Sequence, residues 1–295
     1  MSIEREPTRS RAATEEKSGA KRDRSRPPAP EPLPHPVVDN HCHLDIADGD
    51  WLATEDALAQ AAAVNVTRIV QIGCDLPGAR WAVRAAAEHD EVVAGVALHP
   101  NDAPRHVDLD AALAEIESLA RSSDRVRAIG ETGLDNFRTG TEGKAAQVES
   151  FRRHIDLAKR LDKTLVIHDR DAHEEVLAVL DEEGAPERWV MHCFSGDADF
   201  ARRCLDRGAF LSFAGPVTFK NAGALREAAA YAPGDRILVE TDAPYLTPAP
   251  YRGRPNASYL VPLTMRTLAG VRNADVGDLC LAVNQATELA FGGAW

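Results

Sequence analysis

No apolar run in this 295-residue chain approaches the roughly 20 residues a membrane span needs. The first residues are charged rather than apolar, so no secretory signal is expected. Cysteine is scarce: Cys42, Cys74, Cys193, Cys204 and Cys280 are odd in number and scattered, with no C-x-x-C. That argues against a disulfide framework and for a reducing compartment, with the cytoplasm as the expected location. Also missing are a G-x-G-x-x-G turn and a P-loop, so neither a dinucleotide nor a nucleoside-triphosphate cradle is indicated. Positive charge is in deficit. The net charge is −12, and the first 36 residues hold 8 Lys+Arg against 6 Asp+Glu, which leaves −14 on the remainder. Broad electrostatic capture of duplex DNA is disfavoured, and a nucleic acid substrate would need local basic groups or bound cations.

What is present reads as a globular domain with a tail. Hydrophobic residues make up 44% and charged residues 27%, both near globular averages. Residues 1–35 mix Arg, Glu, Ser and Ala and then run into Arg26-Pro27-Pro28-Ala29-Pro30-Glu31-Pro32. Few apolar side chains and many prolines predict a disordered tail with a stiff lead-in. From residue 36 to 295 a unit repeats: a short β-branched run, a polar residue, a loop, then an Ala- and Leu-rich amphipathic segment. Strands are predicted at 36–40, 67–72, 92–98, 126–130, 164–167, 188–191, 209–213 and 236–239. Helices are predicted near 54–64, 78–89, 108–121, 145–161, 172–183, 198–207, 221–231, 258–270 and 275–290. Eight alternations over about 260 residues predict a single-domain (β/α)8 barrel, an α/β fold. An open doubly wound sheet is the competitor, and it more often shows fewer strands and a glycine-rich first turn.

A barrel of this kind keeps its chemistry at the C-terminal ends of its strands. There stand His41 and His43, His99, Glu131, His168, His192, and Glu240 with Asp242. In an extended chain His41 and His43 share a face while Cys42 points back. Four imidazoles and two or three carboxylates converging on one mouth suit a pair of divalent ions roughly 3.5–4 Å apart, bridged by a carboxylate. Glu131 is the candidate bridge. His41, His43 and Asp242 would complete one ion, and His168 and His192 the other. Asp242 can also orient the attacking water, and Glu240 either supports a ligand or lies buried beside the site. Asp39 is open between orienting a metal-bound histidine and forming a turn. Cys193, pointing away along a strand, is expected in the core.

These residues lie in motifs that resemble the TatD family of metal-dependent deoxyribonucleases. The stretches are Asp39-Asn40-His41-Cys42-His43-Leu44-Asp45, Ala97-Leu98-His99-Pro100 and Gly130-Glu131-Thr132-Gly133-Leu134-Asp135. They continue with Ile167-His168-Asp169-Arg170, His192-Cys193-Phe194-Ser195-Gly196, Glu240-Thr241-Asp242-Ala243-Pro244-Tyr245-Leu246 and the loop from Pro250 to Asn256. The resemblance implies a (β/α)8 barrel, two divalent metals (Mg, Mn or Zn), the ligand set above, and hydrolysis of phosphodiester bonds in DNA, commonly as a 3′ exonuclease. The tail is not part of the family core. Asn256-Ala257-Ser258-Tyr259 departs from the usual Asn-Glu-Pro pattern, and Phe137-Arg138 stands where an aromatic pair is frequent.

A phosphodiester needs positive groups beside its non-bridging oxygens, and Arg170, Lys220, Arg252 and Arg254 fall in loops expected at the mouth. His99 is expected to contact substrate phosphate, and Phe137 or Tyr245 to stack on a base or pack. An acidic body with cations confined to its mouth suits a single strand or an end. No exposed apolar stripe stands out, so a monomer is expected. The alternative functions are an ester or amide hydrolase, including an aminoacyl-tRNA deacylase, and a metal-bound scaffold without catalysis.

Overall fold

The computed structural model of the chain describes residues 6–11 and 22–295. Eight parallel strands follow one another in sequence order around a single sheet. They are β1 (Val37–Cys42), β2 (Val66–Gly73), β3 (Val92–Val96), β4 (Val126–Asp135), β5 (Thr164–Arg170), β6 (Trp189–Met191), β7 (Phe210–Phe213) and β8 (Ile237–Val239). Between β8 and β1 the sheet nearly closes. Asn40 Nδ2 donates to Val239 O at 2.9 Å, the Asp242 N–H donates to His41 O at 2.9 Å, and Cys42 bridges Ala243. The fold is a (β/α)8 barrel.

Helices fill the gaps and cover the outside: α1 (Thr54–Ala62), α2 (Leu76–Glu88), α3 (Leu109–Arg121), α4 (Lys144–Leu161), α5 (His173–Glu183), α6 (Ala198–Leu205) and α7 (Gly223–Tyr231). After β8 come α8 (Val261–Arg272) and α9 (Val276–Ala290). Short polar side chains start several of them. Asp75, Asp108, Asp197 and Asp275 each accept a hydrogen bond from the first turn of the helix that follows, satisfying donors a helix start leaves open.

Strands buried on both faces read in sequence as continuous apolar runs, so their inward and outward sets become visible only here. Val38, Val70, Val93, Ala128, Val166, Val190, Phe210 and Leu238, one from each strand, form the barrel interior. Val37, Val92, Ile129, Leu165, Ile167, Met191, Leu211 and Val239 pack outward among the helices. Ala286, Ala290 and Phe291, at the end of α9, close one end of the interior set.

Strict alternation carries the inward set on to the other end. Two positions beyond Val166 is His168, two beyond Val190 is His192, and Leu238 leads to Glu240 and Asp242. In β1 and β4 the same count fails. Alternation from Val38 would send Asn40 and Cys42 inward, and from Ala128 it would send Gly130 and Thr132. Register shifts between Asp39 and Cys42, and between Ile129 and Thr132, move the count by one. Irregularities of this kind re-aim side chains, and here they turn His41, His43 and Glu131 to the interior. Gly130 has no room for a side chain, since a Cβ there would lie 2.5 Å from that of Val166.

The segment expected to be a disordered tail, 1–35, lies partly outside the described residues, at 1–5 and 12–21. Its described parts form no core of their own and lie along the barrel. Leu33 is buried, its N–H donating to Val64 O at 3.1 Å, and the Tyr259 hydroxyl donates to Pro27 O at 2.6 Å. Arg9–Ser10 pairs in parallel with Ile46–Ala47, a two-residue strand just past the His-x-His.

Candidate metal centre

Glu131 sits at the centre of the open end, buried, with its two carboxylate oxygens facing different partners. Oε1 lies 3.5 Å from His43 Nε2 and 3.7 Å from His41 Nε2. Oε2 lies 2.9 Å from His192 Nε2, 3.2 Å from His168 Nδ1 and 3.8 Å from His99 Nε2. Asp242 Oδ1 stands 3.3 Å from His43 Nε2 and 3.8 Å from His41 Nε2. The rings of His41 and His192 stack at 3.8 Å. Three sets of donor atoms come close enough together to hold an ion: His41, His43 and Glu131; His41, His192 and Asp242; and His99, Glu131 and His168. All six residues expected as ligands therefore meet in one cluster. His192 stands with His41 and Asp242 as well as opposite His168, so the donors divide less sharply than the expected three-and-two split.

Hydrogen bonds set which ring nitrogen each histidine offers. His43 Nδ1 lies 2.8 Å from Ile72 O, so it carries the proton and leaves Nε2 with a lone pair for the site. His192 Nδ1 lies 3.1 Å from Glu240 Oε1, which also accepts from the Cys193 N–H at 2.9 Å; again Nε2 faces inward. Glu240 thus lies buried beside the site and holds the His192 ring. His99 is the reverse case. Its Nδ1 accepts from the Asn101 N–H at 2.9 Å, and burial pushes its pKa down to about 3, so its Nε2 holds the proton. That makes His99 a hydrogen-bond donor to whatever occupies the mouth.

Electrostatics match a cation site. Burial pushes the Glu131 carboxyl up, but His192, His99 and His168 outweigh it and hold the group well below the usual carboxylate range. Burial likewise pushes His192 down, and Glu240 and Glu131 reverse that, raising it well above an ordinary imidazole. These carboxylates favour positive charge between them, whether proton or metal. His41 shows the fit most directly. It is fully buried, and among the described residues neither of its ring nitrogens has a hydrogen-bond partner. Leaving such groups unpaired is costly, and a metal ion is the partner that imidazoles on this pattern take.

Other expectations fall into place unevenly. Arg170 lies at the mouth with its guanidinium 4.0 Å from the centroid of the exposed Phe137 ring. Arg252 stacks at 4.4 Å on Phe219, and Lys220 is exposed in the turn before α7. Arg254 is engaged elsewhere, donating to Ser25 O at 2.9 Å and Arg26 O at 2.7 Å. Asp39 makes the local contact of a turn former, accepting from the His41 N–H at 3.4 Å, and takes a further role besides. It accepts from the Thr241 N–H at 2.9 Å and hydroxyl at 2.6 Å, tying β1 to β8, and burial pushes its pKa up to about 6. Cys193 lies just past β6 with φ 43°, outside any strand. Two residues were missed as site members. Asp135 Oδ2 lies 3.4 Å from His168 Nε2, and the Cys74 thiol donates to Glu131 Oε1 at 3.1 Å. Asp135 had a signal, since its Gly-Glu-Thr-Gly-Leu-Asp stretch extends β4 to the mouth; Cys74 had only its inward parity.

A family model described as TatD related DNase matches residues 38–292. The chain is 45% identical over 264 residues to an uncharacterized metal-dependent hydrolase, TatD, of Mycobacterium tuberculosis, covering 88% of this chain and 99% of that protein. It is 40% identical over 256 residues to the uncharacterized metal-dependent hydrolase YabD of Bacillus subtilis, covering 86% and 98%. Among solved structures it resembles YJJV, a TatD homologue of Escherichia coli, with a TM-score of 0.81 and 26% identity over 88% of this chain and 98% of that one. A TatD family hydrolase of Entamoeba histolytica, 17% identical, matches at 0.78 over 89% and 100% and speaks to the fold alone.

Proposed function

The chain belongs to the TatD-related DNase family of metal-dependent hydrolases, and from that premise we propose that it hydrolyses phosphodiester bonds in DNA at two divalent ions. The observation that carries the reading is Glu131, one buried carboxylate with one oxygen toward His41 and His43 and the other toward His168 and His192. That is the disposition a bridging carboxylate needs. In this reading His41, His43, His168, His192, Asp242 and Glu131 hold the metals. Imidazole-rich sets favour zinc or manganese over magnesium on affinity.

Divalent ions bound there supply Lewis acidity and make water acidic enough to attack at neutral pH. The protein's own groups do the rest. Asp242, half-buried at the mouth, accepts a proton from the attacking water and orients it. His99 donates from Nε2 to a non-bridging phosphate oxygen. Glu240 holds His192 in its tautomer through Nδ1. Arg170, Lys220 and Arg252 lie where a phosphate chain would leave the site, and the exposed Phe137 ring offers a face to a terminal base. A narrow cationic mouth on an acidic body favours a strand end, hence a 3′–5′ exonuclease on single strands, working as a monomer in a reducing compartment.

The test is hydrolysis of an end-labelled single-stranded DNA, with EDTA and with Mg²⁺ or Mn²⁺ restored separately. Stepwise metal-dependent shortening from the 3′ end is expected. No cleavage under any metal, by protein shown to hold two ions, would move the assignment to ester or amide substrates.

A further inference from the structure

We propose that residues 8–11, which lie ahead of the family core, form an arm whose Arg9 and Arg11 bind backbone phosphates adjacent to the scissile phosphate on the same strand. The inference rests on the phosphodiester reading above and names a subsite for it.

The placement of the arm is specific. The Thr8 N–H donates to Asp45 O at 2.8 Å, the Thr8 hydroxyl to Asp45 Oδ2 at 2.6 Å, and the Arg11 N–H to Ala47 O at 2.7 Å. Asp45 and Ala47 follow the His-x-His directly, so the arm is fixed to the loop that leaves the metal cluster. Alternation along the short strand sends Arg9 and Arg11 the same way. Arg9 pairs with Asp75 at 3.1 Å, at the loop leaving β2, and its charge acts on Cys74 and Tyr245. Cys74 is the residue that donates to Glu131. Arg11 lies 5.0 Å from the Tyr245 ring centroid and donates to Pro244 O at 3.3 Å, at the loop leaving β8. The Tyr245 ring is in turn 6.2 Å from that of His43. Both guanidiniums therefore stand on the rim beside the Glu131–Asp242 side of the cluster. They keep 43% and 29% of their side-chain surface exposed.

The charge balance explains why such an arm is useful. The barrel carries a surplus of acid, so each cation at the mouth matters for drawing in a polyanion. One mouth cation is already engaged, since Arg254 binds the backbone of Ser25 and Arg26 and pairs with Asp23 at 3.3 Å. The same N-terminal segment that occupies Arg254 brings Arg9 and Arg11 to the rim. Asp48 receives both Arg11 and Arg22, so one carboxylate there faces two guanidiniums. Arginine forks match phosphate oxygens, and the Tyr245 ring beneath Arg11 holds that guanidinium at the rim.

The experiment measures binding of a short, fluorescently labelled oligothymidylate to full-length, EDTA-treated protein across a salt series. The variants are Arg9→Gln, Arg11→Gln, the double variant, and the double Arg→Lys variant. Arg202→Gln on the outer helix α6, paired with Asp199 and Asp206, serves as the control. The double Gln variant is expected to bind roughly 10- to 100-fold more weakly at low salt, for two lost charge-assisted contacts. Its slope of log affinity against log salt should fall by about 1.4, two single-strand phosphates' worth. The Lys variant should keep the slope and lose part of the affinity, while Arg202→Gln should match the wild type. Unchanged affinity and slope in the double Gln variant, or tighter binding, would overturn the arm as a phosphate subsite. A wild type that binds and cuts DNA while the variants match it removes the arm alone. A wild type that neither binds nor cuts with any metal removes the phosphodiester reading and the arm together.

Discussion

The two ends of the barrel are built from the same strands by the same alternation, and they use it for opposite ends. At the closed end the inward residues are Val38, Val70, Val93, Val166, Val190, Phe210 and Leu238, sealed by Phe291 from α9. Most polar groups there are matched among the described residues, with Trp295 Nε1 an exception. Arg127 donates to Phe291 O at 3.2 Å, Gly293 O at 2.7 Å and Ala294 O at 3.2 Å, and its guanidinium lies 5.2 Å from the Trp295 ring centroid. Two to four positions further along the same strands, the inward residues become His168, His192, Glu240 and Asp242. Here His41 keeps both ring nitrogens without partners among the described residues. One end is sealed by apolar packing; the other gathers carboxylates around a buried imidazole with neither nitrogen partnered. The difference separates what holds this protein together from what it is for.

The most severe way to test that separation is Glu131→Ala. It removes the charge both sets of imidazoles face, while the apolar layer beneath is untouched. Turnover is expected to fall at least about 1,000-fold, because several kcal/mol of charge stabilisation goes with the metals. Metal content, measured by elemental analysis after dialysis, should drop, and thermal unfolding should stay a single cooperative transition. Retained activity would end the bridging assignment. A variant that fails to fold would show that the open end is structural after all.

Phe210→Ala is the mirror experiment. Phe210 is buried in the interior layer, and Arg236 lies 4.7 Å from its ring centroid. Truncation leaves a cavity, and a cost of about 3–5 kcal/mol in unfolding free energy is expected. The protein that remains folded should bind metal as the wild type does. Denaturant melts and metal titrations on the same preparation separate these effects. Loss of metal affinity out of proportion to stability would mean that the two ends are coupled.

How far the sequence reveals this architecture follows from the same contrast. The barrel was legible because eight short apolar runs, most of them β-branched, alternate with amphipathic helices at the right spacing. The six expected ligands do meet, because ligands on separate strand ends need only the count of strands to be correct. What stayed hidden depends on backbone irregularity and long-range pairing. No residue pattern announces the register shifts that turn His41, His43 and Glu131 inward. Arg254 looked like a mouth cation by position, yet Ser25 and Arg26, more than 220 residues away in sequence, accept its hydrogen bonds. The N-terminal segment has the composition of a tail and cannot bury its own apolar groups. Its described part instead uses the barrel surface, where Leu33 is covered. Asp39 showed a carboxylate of open role, and only the closing of β8 on β1 makes it a tie between them.

The finest test of the comparison is Glu240→Gln, which leaves every ligand in place. Glu240 continues the inward count from Leu238 and is buried, so it belongs to the wall as much as to the site. Its Oε1 accepts from both His192 Nδ1 and the Cys193 N–H. A glutamine keeps an oxygen that can accept both bonds but removes the charge that makes the imidazole a stronger donor to metal. A loss of about 10- to 100-fold in metal affinity is expected, in line with other carboxylates that support a ligating histidine. Glu240→Ala should cost more, because it also leaves the Cys193 N–H and His192 Nδ1 buried without an acceptor. Metal titration into EDTA-treated protein reads the constant directly. A Gln variant with wild-type affinity would place Glu240 in the wall alone, holding the turn after β6, and the line between frame and site would then run beneath His192.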